Sequence, residues 1–203
     1  MSFYGDRVLP YLVNKSMQQA NFTPYRQRAV TEATGRVLEI GVGSGINLPL
    51  YTAATHVIGL DPSAKLLSMA RVLAEPLRLS IELVKGSAES IPLPDQSVDT
   101  VVTTWTLCSI PDLPRALAET RRVLKPEGHL LFAEHGRSPE PQVARWQNRL
   151  TPIWKRIGGG CHLNRPINEL IAASGFRVDK LKTGYMDGPK PMTFMYEGVA
   201  RPT

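Results

Sequence analysis

Glu39, Gly41, Gly43, Gly45 and Asp61 are the residues whose types and spacing could do chemistry. Glu39-Ile-Gly-Val-Gly-Ser-Gly45 closes a short apolar run, Arg36–Ile40. Glycines this close together let the backbone turn sharply and approach a ligand. Asp61 ends the next run, 20 residues after Gly41, where a carboxylate can accept hydrogen bonds from both hydroxyls of a ribose. A dinucleotide meets that general description, so the details discriminate. Its G-x-G-x-x-G fingerprint needs glycine where this chain has Ile46. Pro49 follows closely, so the helix after the turn is expected to be short or distorted, a poor cradle for a pyrophosphate. Glu39 would repel a pyrophosphate and attract the ammonium and sulfonium of S-adenosylmethionine; at ~4 Å, opposite charges gain roughly 1–4 kcal/mol. The residues therefore point to S-adenosylmethionine and disfavour a nicotinamide oxidoreductase. A nonenzymatic protein that only binds S-adenosylmethionine stays open, because binding and turnover are separate properties.

Candidates for work on a methyl acceptor lie further along. His135 follows the fifth apolar run and could accept a proton near neutral pH; a structural histidine is the plainer alternative. Cys161 and His162 follow three glycines, so their loop can come close to a ligand or be held by ordinary packing. Cys108 sits in an apolar stretch and reads as buried filler. Two cysteines with no CxxC spacing give no zinc knuckle, and no metal is expected. The fourth run ends Val102-Thr-Thr-Trp-Thr106, without the Asn/Asp-Pro-Pro-Tyr element that grips a planar nitrogen, and the chain has no Pro-Cys dipeptide. A small organic acceptor suits these absences. A thiol would need little general-base help, since roughly a few per cent of a free thiol is already thiolate at about pH 7.

The elements that must position these residues alternate. Apolar or β-branched runs fall at Arg36–Ile40, His56–Leu60, Ile81–Val84, Val98–Thr104, His129–Glu134, Phe176–Lys182 and Thr193–Ala200. Helix candidates span Ser63–Ala74, Asp112–Leu124 and Asn164–Ser174, with Asp112 and Asn164 as caps and Gly175 as a stop. This is an α/β pattern: a mostly parallel seven-stranded sheet with helices on both faces. The Gly184–Pro191 linker predicts no helix, which makes the last two strands an antiparallel hairpin. Residues 1–33 read as an N-terminal helical lid, with Val8, Leu9, Leu12 and Val13 on one side. Residues 34–203 read as the ligand-binding domain.

The 203 residues suffice for one domain with a core of its own. No signal-peptide order and no spanning apolar run stand out, so the cytoplasm is the expected location. The net charge of +6 is concentrated between Arg115 and Arg165. A solvated surface is the plain reading; an anionic substrate or membrane is the sharper one. No nucleic-acid partner is expected, because no binding motif accompanies the charge. Val143, Trp146, Leu150, Ile153, Trp154 and Ile157 recur at helical spacing among Arg145, Arg149, Lys155 and Arg156, with Pro152 expected to break the run. Weak peripheral contact with an anionic membrane is one use of such a stripe, and core packing the other.

With these pieces in place, the chain resembles the class I S-adenosylmethionine-dependent methyltransferases over about Arg36–Pro202. It is most similar to small bacterial relatives of the animal methyltransferase-like alkyl-thiol methyltransferases. The matching pieces are Val37–Gly45, Asp61-Pro62, Gly86–Glu89, Thr106–Ser109, Arg121–Pro126, Glu134-His135 and Trp154–His162. The resemblance implies a Rossmann-like fold and transfer of a methyl group, with S-adenosylhomocysteine as product and a thiol as the first-choice acceptor. A phospholipid or other lipophilic amine or hydroxyl is the alternative. It implies that Glu39 to Gly45 wrap the methionine moiety and that Asn47 assists its carboxylate. Asp61 would hold the ribose and Pro62 shape the adenine pocket. Ser87 and Ala88 would meet the adenine, Ser87 through its backbone, and Thr104 and Trp105 would lie beside the methyl donor.

Overall fold

The computed structural model describes residues 9–203, apart from the side chains of Leu9 and Val13. Val8 lies outside the described residues. Seven strands form one sheet: β1 (Thr34–Ile40), β2 (Ala53–Asp61), β3 (Ser80–Lys85), β4 (Val98–Thr104), β5 (Leu124–His135), β6 (Phe176–Tyr185) and β7 (Phe194–Pro202). Their order is β3-β2-β1-β4-β5-β7-β6. The first five are parallel, and β7 runs antiparallel between β5 and β6. The central strands are apolar on both faces because helices cover both. Successive residues alternate sides: Leu38, Ile58, Val101 and Leu130 enter one core, and Val37, Val57, Val102 and Leu131 the other.

The helices are α1 (Leu9–Met17), α2 (Thr23–Val30), α3 (Ala64–Ala74), α4 (Leu113–Val123), α5 (Pro141–Ile157), α6 (Ile167–Ala173) and α7 (Lys190–Thr193). Ser63 caps α3 through Leu66 N–H, and Asp112 caps α4 through Arg115 N–H. Pro49 limits the segment after the glycine turn to a single 3-10 turn, Leu48–Leu50.

Three expectations need correction. Asn164 does not cap α6: Pro166 occupies that position, and the Asn164 amide donates to Asn148 instead. The linker before β7 contains the short helix α7. Pro152 does not break α5, although the Asn148 carbonyl loses its donor there. An internal proline costs ~3 kcal/mol, offset here by anchoring of the buried face. Val143, Ala144, Gln147 and Thr151 are buried, and the Gln147 amide donates to the Gly136 and Pro191 carbonyls while accepting from Ser138 N–H.

Candidate active site

The strand order reverses between β1 and β4, and in open α/β sheets ligands occupy the crevice beyond the strand ends at that point. Here the crevice is a cavity of about 730 Å³. Its glycine end is lined by Glu39, Gly41, Gly43, Asn47, Asp61, Pro62, Ser87, Ala88, Thr104 and Trp105. Its other end is lined by Cys108, His135 and Cys161 among apolar Ile110, Trp154, Leu163 and Met192. Gly45 and His162, both expected at the site, do not line it. A Cβ on Gly45 would sit 3.1 Å from Ala70 of α3, so Gly45 is there to let that helix pack. The His162 backbone N–H and ring Nδ1 both lie against the Cys108 carbonyl, at 2.8 and 3.1 Å.

Gly43 differs from Gly45. At φ +57° its Cβ would meet only the Gly41 carbonyl, at 3.9 Å, so open cavity lies over this backbone. Its N–H donates to Asp61 Oδ2 at 3.0 Å, and Ser63 N–H donates to Asp61 Oδ1 at 2.8 Å. Both carboxylate oxygens are thus aimed, and each keeps a second lone pair. The Ser87 hydroxyl is engaged by Glu89 in both directions, which leaves its backbone for a ligand.

Glu39 is fully buried at the end of β1. Tyr51 Oη donates to one of its oxygens at 2.9 Å and Asn47 Nδ2 to the other at 2.7 Å. Burial pushes its pKa up to about 7, against the pull of those two bonds and of Arg26. Arg26 Nη1 donates to Asn47 Oδ1 at 2.9 Å, so the Asn47 side chain is fully used in aligning its neighbours. Both of its amide hydrogens are engaged, by Glu39 and Thr104. The buried Arg26 guanidinium lines the cavity and stacks 5.0 Å from the Trp105 ring. Trp105 has φ +50°, a conformation uncommon for an aromatic residue, with Phe22 edge-on to its ring at 4.8 Å.

At the cysteine end, His135 Nε2 lies 3.0 Å from Cys161 Sγ. Burial opposes charging the ring, but the Cys108 sulfur and Glu134 carry its pKa above the ordinary histidine value. Hydrogen bonding from Cys161 draws the Cys108 thiol well below the usual range and leaves Cys161 the harder thiol to ionise. Burial lifts the adjacent Glu134 to about 8; one of its oxygens accepts Thr106 N–H, and the other has no partner. Cys108 is buried as expected, yet it also forms part of the cavity wall. Sequence reasoning missed Arg26 and Tyr51, and gave Glu134 only as half of the Glu134-His135 piece, with no role of its own. A lone arginine in a polar helix and a tyrosine after a proline turn carry no signal of their own.

A family profile described as "Methyltransferase domain" matches residues 38–132. The chain is 36% identical over 170 residues to the thiol S-methyltransferase TMT1B of Homo sapiens, covering 77% of this chain and 70% of that protein. It spans 65% of the length of the Rattus norvegicus counterpart. It is 34% identical to the phosphatidylethanolamine N-methyltransferase of Cereibacter sphaeroides over 146 residues, 66% of this chain and 72% of that one. A crystal structure of an S-adenosylmethionine-dependent methyltransferase from Mesorhizobium loti superposes with TM-score 0.70 at 20% identity, covering 91% of this chain and 99% of that one. The glycine turn, the aimed Asp61 and the sheet order agree with these likenesses, and the chain belongs to the S-adenosylmethionine-dependent methyltransferase family.

Proposed function

We propose that this chain transfers a methyl group from S-adenosylmethionine to a small lipophilic thiol. The observation that carries the proposal is one cavity joining Glu39 and Asp61 to a buried cluster of Cys108, His135 and Cys161. The first end suits the donor, because open space lies over Gly43 and a buried carboxyl stands ready for a cation. Asp61 would hold the ribose, and Pro62, Ala88 and the Ser87 backbone the adenine. Gly41, Gly43 and Glu39 would take the methionine part, Arg26 its carboxylate, and Thr104 and Trp105 the flank of the sulfonium. Asn47 aligns Glu39 with Arg26, and Gly45 seats α3.

When bound, S-adenosylmethionine supplies an activated methyl: the acceptor sulfur bonds to it, the sulfonium carbon–sulfur bond breaks, and the electron pair stays with S-adenosylhomocysteine. The protein's tasks are to align the acceptor and exclude water. Ile110, Trp154, Leu163 and Met192 give the acceptor an apolar seat. A charged His135 ring favours a thiolate there, the acceptor's proton leaving to solvent. Cys161 fixes that ring, and His162 fixes the Cys108 turn instead of acting on substrate. Within the segment read as a lid, the described residues Pro10, Asn14, Met17, Phe22 and Arg26 supply one wall of the cavity and serve as its cover.

A second reading rests on α5. Trp146, Ile153 and Ile157 are exposed along it, the helix carries Arg145, Arg149, Lys155 and Arg156, and it has no acidic residue. This face suits weak contact with an anionic membrane and, with the phosphatidylethanolamine relative, a lipid amine as acceptor. Among the described residues no helix is long and apolar enough to cross a membrane. Release of S-adenosylhomocysteine over a panel of alkyl thiols and phosphatidylethanolamine vesicles decides between them. Turnover with thiols is expected. Turnover with vesicles alone replaces the thiol reading, and turnover with neither refutes both.

A further inference from the structure

Cys108, His135 and Cys161 come from three separate places: the turn after β4, the end of β5 and the loop after α5. Their potential ligand atoms nevertheless lie within 4.8 Å of one another, and all three side chains are buried. A tetrahedral zinc ion, with Zn–S near 2.3 Å and Zn–N near 2.0 Å, spaces such atoms about 3.5–3.8 Å apart. The 3.0 Å between His135 Nε2 and Cys161 Sγ reaches that spacing with a shift of roughly half an ångström. Three protein ligands with a fourth position left open mark a zinc ion that acts on a bound molecule; a fourth protein ligand closes a structural site. Among the described residues this group has three members, and all three line the cavity.

The donor set selects the ion. Two sulfurs and an imidazole suit zinc, whereas magnesium and calcium take oxygen ligands.

We propose that Cys108, His135 and Cys161 hold a zinc ion whose open position faces the cavity and takes the acceptor thiol. The acceptor clause rests on the thiol reading above; the metal site does not. On metal binding both cysteines and the charged His135 ring release their protons to solvent, so two thiolates balance the charge of the ion, His135 binds as the neutral imidazole, and the ion takes over the ring's role of favouring a thiolate. The acceptor thiol also loses its proton to solvent and binds as thiolate, because a coordinating thiol is deprotonated outright. Its sulfur is then aligned by a metal–sulfur bond instead of by packing alone.

The test uses the full chain, reduced and stripped of metal, titrated with cobalt(II) and then with zinc(II). One cobalt per chain is expected, with sulfur-to-cobalt charge-transfer absorption and the intense visible bands of a tetrahedral site, both bleached by zinc. Cys161→Ser and His135→Ala should each weaken binding by more than about 100-fold, the upper range for losing even an outer partner of a metal ligand. Calorimetric titration with S-adenosylmethionine verifies that the variants are folded. Absence of these bands in the unaltered protein, or bands unchanged in both folded variants, overturns the metal site. A cobalt spectrum that shifts on adding a small alkyl thiol supports the acceptor position, and one that ignores every thiol overturns it. Thiol turnover is measured separately with zinc restored. Its absence in a protein that binds cobalt as described sinks the thiol reading and leaves the metal site standing.

Discussion

Acidification should loosen the hold on S-adenosylmethionine, and Glu39 sets the range over which this happens. Its carboxyl is fully buried and titrates at about 7 in the ligand-free protein. Only the ionised form attracts the donor's cationic groups, and their arrival stabilises that form. Affinity is therefore full above this pKa and falls as pH drops through it, by up to tenfold per pH unit. Between about pH 8 and about pH 6 the ionised fraction drops from roughly nine tenths to one tenth, so binding should weaken about tenfold, or ~1.4 kcal/mol. At about pH 7 half the molecules carry the proton, and binding should expel about half a proton. Isothermal titration calorimetry at fixed ionic strength, repeated in two buffers of different ionisation enthalpy, measures both quantities. Asp61 is also shifted upward by burial, so Glu39→Gln isolates the Glu39 share and should flatten the profile. In that variant one of the two donors, Tyr51 or Asn47, faces an amide nitrogen, at a stability loss of about 1–3 kcal/mol that a thermal melt will register. Affinity that stays constant across the window, with no buffer-dependent heat, would refute the reasoning.

Three further outcomes are expected. Asp61→Ala removes the two oxygens proposed to accept from the ribose and the carboxylate that receives Gly43 N–H, so cofactor affinity should drop by about 100-fold or more in calorimetry; unchanged affinity would overturn the map of the glycine end. Arg26→Met keeps most of the apolar packing against Trp105 but removes the cation, and should weaken S-adenosylmethionine binding by about tenfold or more. An affinity equal to the parent's would free Arg26 from the role given to it. In flotation assays with anionic vesicles, the parent should rise with the lipid and Trp146→Asp/Ile153→Asp should not; a parent that stays at the bottom ends the membrane reading of α5.

The glycine end was legible because its chemistry and its sequence spacing coincide. Glu39, the glycines and Asp61 belong to consecutive strand ends, and parallel strands deliver their ends to one edge. Pro49 foretold the shortened helix for the same reason, since steric rules act within a few residues. The cysteine end was legible only in pieces. Cys108 and Cys161 are 53 positions apart and meet through three elements, which no local pattern records. Arg26 was hidden because its partner, Asn47, is reached across space and not along a helix face. Pro152 misled for a related reason: its penalty is local, while the anchoring of Gln147 that outweighs it is tertiary.

The two ends of the cavity are drawn from different stretches of chain. Arg26, Glu39, Asp61, Ala88 and Trp105 all precede Cys108, while His135, Trp154, Cys161 and Met192 all follow it. On the proposed assignment, substitutions in the later half should retune which molecule is methylated and leave the grip on the donor intact. The division also gives an engineer a natural crossover point at Thr106–Leu107 for chimeras that keep one half and exchange the other.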